Sequence, residues 1–165
     1  MKLNKKLEEA LNAQINAELW SAYLYLAMSA DFSAKGLGGF ANWMFVQFNE
    51  EQEHAMKIFN YMVQRGNKPD LRPIAKVEKT WKTPLDAFKS TLKHEIEVTK
   101  MINDLYALAV EEKDYATQSM LKWFIDEQVE EEEQAQEIID SLTLINGDGV
   151  GIYQLDKKLS KREQD

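Results

Sequence analysis

Apolar residues recur at alternating spacings of three and four along four long segments of the chain, at about 4–33, 39–66, 84–112 and 115–145. This spacing is typical of amphipathic helices that turn one face toward a shared core. No segment shows the strict alternation of apolar and polar residues that indicates a β-strand. The pattern therefore predicts an all-α protein built on four helices.

The connections between these segments predict how the helices are arranged. Glycines interrupt the chain after the first and fourth segments, Thr83 and Pro84 are typical of a helix start, and Asp114 can cap the fourth helix. Short connections make the first and second helices antiparallel neighbours, and likewise the third and fourth. The connection at 67–83 is long enough to run the length of a helix. We expect one domain over residues 1–165, a four-helix bundle with one long crossover and a short fifth helix at about 150–160.

Carboxylates and amides interrupt all four apolar stripes near their middles. Glu18 and His54 lie about 18 residues on either side of the turn at Gly36, and Glu95 and Glu131 lie about 18 residues on either side of the turn near Lys113. At about 1.5 Å of rise per residue, these four positions share one level of the bundle. The residues that interrupt the stripes, which we call the carboxylate layer, are Glu18, Glu51, His54, Glu95, Gln128 and Glu131.

A buried layer of this composition requires cations, because an unpaired buried carboxylate is strongly unfavourable. Glu51 and His54 are spaced i and i+3, so they share one helical face. Oxygen ligands with a single imidazole suit iron or manganese better than copper or zinc, and a bridging carboxylate allows two metals to lie close together. The sequence thus predicts a buried site for two metal ions.

Polar residues beside the layer allow more than one interpretation. His94 falls off the apolar stripe, so we expect an ordinary satisfied histidine there rather than a ligand. The run 130–133, four glutamates, is expected as a whole to form a solvated helix face. Glu50, Glu127 and Glu130 neighbour the layer, however, and could form a weaker, more exposed metal site.

At these positions the chain resembles the bacterial non-haem ferritins, and the resemblance extends over essentially its whole length. The motifs that carry it lie one on each helix: Asn16-Ala-Glu18-Leu, Glu50-Glu51-Gln-Glu-His54, His94-Glu95 and Trp123-Phe-Ile-Asp-Glu127-Gln128-Val-Glu130-Glu131. The bacterioferritins carry a methionine haem ligand where this chain has Gln52, so the resemblance implies iron without haem. Rubrerythrins add a four-cysteine domain, and this chain has no cysteine.

The resemblance implies a role for each residue of the layer. Glu18, Glu51 and His54 would hold one iron, and Glu51, Glu95 and Glu131 the other, so that Glu51 bridges the pair. The resemblance also implies Gln128 near the first iron, and Tyr25 as a catalytic tyrosine beside the centre, with Trp123 as its aromatic neighbour. Glu50, Glu127 and Glu130 would form a third iron site.

Composition narrows the classes of partner. The 165 residues include 20 Lys and Arg against 28 Asp and Glu, a net charge of −8, which argues against nucleic acid as a partner. The absence of cysteine excludes disulfides and thiol chemistry. We see neither a signal peptide nor an apolar run of membrane-spanning length, so the expected location is the cytoplasm, without membrane contact.

A second apolar surface indicates association between copies of the chain. It comprises Trp20, Tyr23, Ala27 and Ala30 on the first helix and Leu71, Ile74, Val77 and Trp81 on the crossover. Such a surface needs cover, either within the chain or from other chains. The resemblance implies that cover comes from a hollow homo-oligomeric shell of 24 subunits.

The expected function is iron storage with ferroxidase activity. Fe(II) would be oxidised by O2 or H2O2 at the carboxylate layer, and Fe(III) would be stored as a ferric oxyhydroxide mineral inside the shell. One alternative is a di-iron oxidase or peroxidase that keeps its iron as a fixed cofactor. Another is a helical interaction protein whose buried polar layer only fixes the register of the helices.

Overall fold

Five α-helices dominate residues 2–164, the part of the chain that the computed structural model describes. Their bounds are α1 Lys5–Ala34, α2 Gly38–Gln64, α3 Pro84–Glu111, α4 Tyr115–Ile145 and α5 Gly149–Leu159. Helix α1 packs mainly along α2, and α3 mainly along α4, while the crossover 65–83 joins the two pairs. The all-α four-helix bundle with one long crossover and a short fifth helix is confirmed. None of the described helices is long and apolar enough to cross a membrane.

Side chains placed just before the helices satisfy their first backbone N–H groups, as capping requires. Thr83 Oγ1 accepts a hydrogen bond from the Asp86 N–H at 3.1 Å, and Asp114 Oδ1 accepts one from the Thr117 N–H at 2.9 Å. The two caps expected from the sequence, at Thr83 and Asp114, are therefore confirmed.

Helix α2 begins without a side-chain cap of its own, because Leu37 precedes it. Asp156 of α5 supplies the cap instead, and its Oδ1 accepts from the N–H groups of Gly39 at 2.8 Å and Phe40 at 3.0 Å. The two backbones approach so closely that a Cβ added to Gly39 would lie 1.6 Å from the Asp156 carbonyl oxygen. The glycine thus permits α5 to dock against the start of α2.

Two apolar clusters fill the bundle, one on each side of the carboxylate layer. One cluster surrounds Tyr25, Phe40 and Phe88, and the other surrounds Leu11 and Phe124. The layer between them is buried throughout, with every member at most 4% exposed. The polar residues therefore interrupt a continuous core and do not border it.

Within a single chain, one part of the second apolar surface is buried and another part stays exposed. Trp81 is 6% exposed and packs into the apolar cluster around Phe88, so this residue is covered by its own chain. Tyr23, Leu71 and Ile74 stay 51%, 66% and 45% exposed. The crossover turns Trp81 inward while its first half presents apolar side chains to the outside.

Candidate metal centre

The carboxylate layer brings together one or two ligand-type side chains from each long helix. Helix α1 contributes Glu18, α2 contributes Glu51 and His54, α3 contributes Glu95, and α4 contributes Gln128 and Glu131. All six are buried. Equal distances from the hairpin turns, together with the constant rise of a helix, account for this convergence.

His54 lies at the centre of the layer and contacts carboxylates through both ring nitrogens. Its Nδ1 is 3.4 Å from Glu51 Oε2 and 3.9 Å from Glu18 Oε2, and its Nε2 is 3.7 Å from Glu127 Oε1. Two groups have ligand atoms that all lie within 4.8 Å of one another: Glu18 with Glu51 and His54, and His54 with Glu127 and Glu131. Either group could hold a metal ion.

Glu95 is held by hydrogen bonds on both of its carboxylate oxygens. The Tyr25 hydroxyl donates to Oε1, and Gln128 Nε2 donates to Oε2 at 3.1 Å. Burial raises the pKa of Tyr25 well above its usual value, which keeps the hydroxyl protonated and able to donate. Gln128, expected near the first iron, thus contacts a residue assigned to the second.

Two buried glutamines support the layer, a role that the sequence interpretation missed. Gln14 Nε2 donates to Glu18 Oε1 at 2.7 Å, and Gln47 Nε2 donates to Glu131 Oε2. Gln14 could have been found from its i, i+4 spacing to Glu18 on the inward stripe. Nothing in the spacing links Gln47 on α2 to Glu131 on α4.

The layer has more carboxylate oxygens than hydrogen-bond donors to satisfy them. Glu18 Oε2 and Glu51 Oε2 are buried and accept no hydrogen bond, and the same holds for Gln47 Oε1. The four glutamates of the layer share a single histidine, so if all four were ionised, one positive charge at most would oppose four negative charges. Since an uncompensated buried charge is strongly unfavourable, the donor set fits cations from outside the chain.

Electrostatics make the layer retain protons when no metal is bound. Burial raises the pKa of Glu95 to about 7, burial and the charge of Glu95 raise that of Glu131 to about 8, and burial raises that of Glu51 well above its usual value. Burial opposes a charge on His54, but contacts with Glu127, Glu51 and Glu18 outweigh it and raise the pKa to about 12. An arriving cation would therefore displace protons from these groups.

A half-open cavity of about 410 Å³, which we call the acidic cavity, adjoins the layer. It is lined by Glu50, Glu53, His54, Lys57, Trp123, Glu127 and Glu130. The Trp123 ring stands edge-on to His54 with centroids 5.3 Å apart. His54 thus faces both the buried layer and the cavity.

The three residues expected to form a third iron site have different partners in this cavity. Glu127 contacts His54, Glu130 Oε1 accepts from Gln134 Nε2 at 2.9 Å, and Glu50 Oε2 lies 2.7 Å from Arg162. The three line one cavity, but only Glu127 belongs to a group of ligand atoms close enough together to hold a metal.

His94, next to Glu95 in sequence, has its contacts with residues that are not members of the carboxylate layer. Its Nε2 is 2.7 Å from Ser21 Oγ, and its ring lies 5.2 Å from that of Trp20. Burial lowers its pKa to about 4, so the ring is neutral. His94 is a satisfied histidine, as its position off the apolar stripe predicted.

Comparison with known proteins places this geometry in a family. The ferritin family model, described as a ferritin-like domain, matches residues 8–145. The chain belongs to the ferritin family. This match confirms the ferritin-like fold class, and the relatives described next confirm the resemblance to bacterial non-haem ferritins.

Relatives match the chain over nearly its full length. It is 42% identical to the bacterial non-heme ferritin of Bacteroides fragilis over 160 residues, 97% of this chain and 99% of that protein. It is 40% identical to that of Staphylococcus aureus over 163 residues, 99% of this chain and 98% of that protein. A solved open-pore ferritin from the archaeon Archaeoglobus fulgidus is 46% identical with a TM-score of 0.97, covering 98% of this chain and 100% of that one.

Proposed function

We propose that this chain is an iron-storage ferritin in which O2 or H2O2 oxidises Fe(II) bound at the carboxylate layer. The observation that carries the proposal is the convergence of four buried glutamates and one histidine in which Glu18 Oε2 and Glu51 Oε2 have no hydrogen-bond partner. Iron is the substrate of this site and passes through it. The relatives support the proposal, because the two bacterial proteins and the archaeal structure described above are named ferritins.

The residues divide into two ligand sets that share Glu51. Glu18, Glu51 and His54 would hold one Fe(II), and Glu51, Glu95 and Glu131 the other. Gln14, Gln47 and Gln128 orient the glutamates, and the Tyr25 hydroxyl holds Glu95 at the second position. Anionic oxygen ligands favour Fe(III) over Fe(II), so the ligand set promotes oxidation.

Two neighbouring ions match the electron demand of one oxidant. Each of two Fe(II) ions loses one electron, and O2 takes up both electrons with two protons to give H2O2. With H2O2 as oxidant, the same two electrons and two protons give two molecules of water. Protons displaced from Glu95 and Glu131 as iron binds are available close to the oxidant, since both groups hold protons near neutral pH.

The storage function requires an enclosed space, which we propose is a shell of 24 copies in the cytoplasm. Tyr23, Leu71 and Ile74 are exposed apolar residues that such an assembly would cover. Fe(III) would leave the centre past Glu127 and Glu130 and form a ferric oxyhydroxide mineral inside. Glu50, Glu127 and Glu130 are proposed as a third, transient iron site, and haem has no part in the proposal.

Stopped-flow absorbance after adding two Fe(II) per chain in air tests the centre. The wild type should show a rapid phase, and Glu51→Ala should lower its initial rate by about 100-fold or more, because both irons lose a ligand. Glu133→Ala, an exposed glutamate near the layer on α4, is the matched control and should keep the rapid phase. A wild-type initial rate in Glu51→Ala would refute the assigned centre.

Storage is tested separately from oxidation. Repeated additions of Fe(II) in air should load the assembled particle with many iron atoms per chain. The three proposed sites alone would hold only three per chain. Native mass spectrometry should show the particle near 24 chains. Retention of only two or three irons per chain would favour an oxidase with fixed iron over a storage protein.

A further inference from the structure

Arg162, three residues beyond the end of α5, is fixed against the main bundle. Its Nη2 lies 2.7 Å from Glu50 Oε2 and 3.3 Å from Gln134 Oε1, and its Nη1 donates to the Trp43 carbonyl at 3.2 Å. The guanidinium also stacks 4.3 Å from the centroid of the Trp43 ring. Hydrogen bonds and stacking together hold the cation in one place.

The chain on either side of Arg162 is anchored as well. Asn42 Nδ2 donates to the carbonyls of Leu159 at 3.2 Å and Arg162 at 3.0 Å. Gln164 Nε2 donates to Glu53 at 2.6 Å. The segment that follows α5 therefore contacts two of the four glutamates that line the acidic cavity, Glu50 and Glu53.

The contact with Glu50 has a direct electrostatic consequence for a metal ion in the cavity. The Arg162 and Glu50 side chains are 16% and 13% exposed, so solvent screens their charges only in part. A divalent ion bound to Glu50 would lie within a few ångströms of the guanidinium and would be repelled by it. An ion bound through Glu50 Oε2 would have to displace Arg162 from that oxygen.

We propose that Arg162 is a resident cation that competes with iron for Glu50 and so keeps the third iron site weak. This inference rests on the proposed function and concerns the exit from the centre, not the buried pair of sites. Arg162 is a positioning residue, because it acts on iron through Glu50. Weak binding at this point lets an ion move from the centre toward the interior, whereas a tight third site would retain it.

Anaerobic calorimetric titration of the assembled protein with Fe(II) tests the proposal. Arg162→Gln should tighten the third Fe(II) per chain by about 10-fold or more and leave the first two unchanged, since only the third shares a ligand with Arg162. Arg162→Lys keeps the charge and should bind the third Fe(II) as the wild type does. Lys161→Gln removes an equal charge from an exposed neighbour and is the matched control.

Oxidation kinetics give a second readout that a purely structural role would not move. Arg162→Gln should show the wild-type rapid phase with the first two Fe(II) per chain and slower turnover on later additions, because iron stays longer at the third site. Arg162→Met, which retains the side-chain stem over Trp43, replaces Arg162→Gln if native mass spectrometry shows that the latter does not assemble.

The outcomes separate this inference from the proposed function. Unchanged or weaker third-site binding in an assembled variant without the charge would overturn the role of Arg162, and so would Arg162→Lys behaving like Arg162→Gln. Failure of the wild type itself to bind two Fe(II) per chain would instead overturn the proposed centre.

Discussion

Arg65 and Asp114, near one end of the bundle, pair through two hydrogen bonds of 2.9 and 2.7 Å, whereas the glutamates in its middle share one histidine. Asp114 also caps α4, and Tyr61 and Thr117 hydroxyls lie 2.8 Å apart beside the pair. The Arg65 guanidinium lowers the pKa of Asp114 to about 2. Burial raises the pKa values of the glutamates in the layer instead.

The difference separates charges that stabilise the fold from charges that serve a ligand. A carboxylate that accepts two hydrogen bonds from one guanidinium stabilises the folded chain without any bound ligand. Buried carboxylates whose oxygens accept no hydrogen bond, and which share one histidine, lower stability until a cation arrives. The acidic cavity is intermediate, because Arg162 already neutralises one of its glutamates.

The largest expected effect is stabilisation of the carboxylate layer by metal. A ligand that binds only the folded state, present at 100 times its Kd, adds about 2.7 kcal/mol per site. Anaerobic Fe(II) should therefore raise the unfolding midpoint of the wild type by several degrees in scanning calorimetry. Glu51→Ala should lose most of this rise, because Glu51 belongs to both ligand sets.

Two variants outside the layer serve as controls for that measurement. Glu133→Ala and Asp114→Asn should respond to Fe(II) as fully as the wild type, although the second begins from a lower midpoint. An unchanged wild-type midpoint at saturating Fe(II) would show that the layer does not bind iron in the folded protein.

A smaller effect, with a defined pH dependence, is expected for Asp114→Asn. Asparagine still caps a helix but cannot pair with Arg65 as an anion. Asp114 has a folded pKa of about 2 against a usual 3.8, so its ionisation stabilises the fold above about pH 4, and this stability is lost as pH falls through about 2. The pKa of Asp114 thus falls by nearly two on folding, which corresponds to about 2 kcal/mol of folding free energy.

Denaturant unfolding of both proteins from pH 6 to pH 2 measures this effect. Asp114→Asn should be the less stable protein at pH 6, and the difference between the two proteins should shrink steadily from about pH 4 down to pH 2. Asp104→Asn, on the exposed face of α3, should match the wild type throughout. A difference in the free energy of unfolding that stayed constant with pH would assign the loss of stability to capping and not to charge.

Sequence reasoning succeeded where chain geometry alone decides the outcome. The level shared by Glu18, His54, Glu95 and Glu131 follows from helix rise and turn position, and the cap at Asp114 follows from residue type. Contacts between side chains on elements distant in sequence could not be predicted in this way. The pairs Gln47 with Glu131 and Arg162 with Glu50 depend on rotamers and on how the end of the chain packs, which no periodicity encodes.

Metal-free protein, which lacks the stabilisation by iron, is expected to gain stability when Glu51 is replaced by glutamine. Burial raises the folded pKa of Glu51 well above its unfolded value, so the folded state holds the proton more tightly. Stability from this proton is present below the unfolded pKa and declines as pH rises toward the folded pKa. Glutamine is neutral at every pH and avoids the decline, so Glu51→Gln should match the wild type near pH 4 and gain a growing advantage as pH rises toward 9. Urea unfolding of the metal-free proteins at both pH values measures this, and a loss at pH 9 comparable to that of Asp114→Asn would show that the layer, like the Arg65 pair, is a stabilising network.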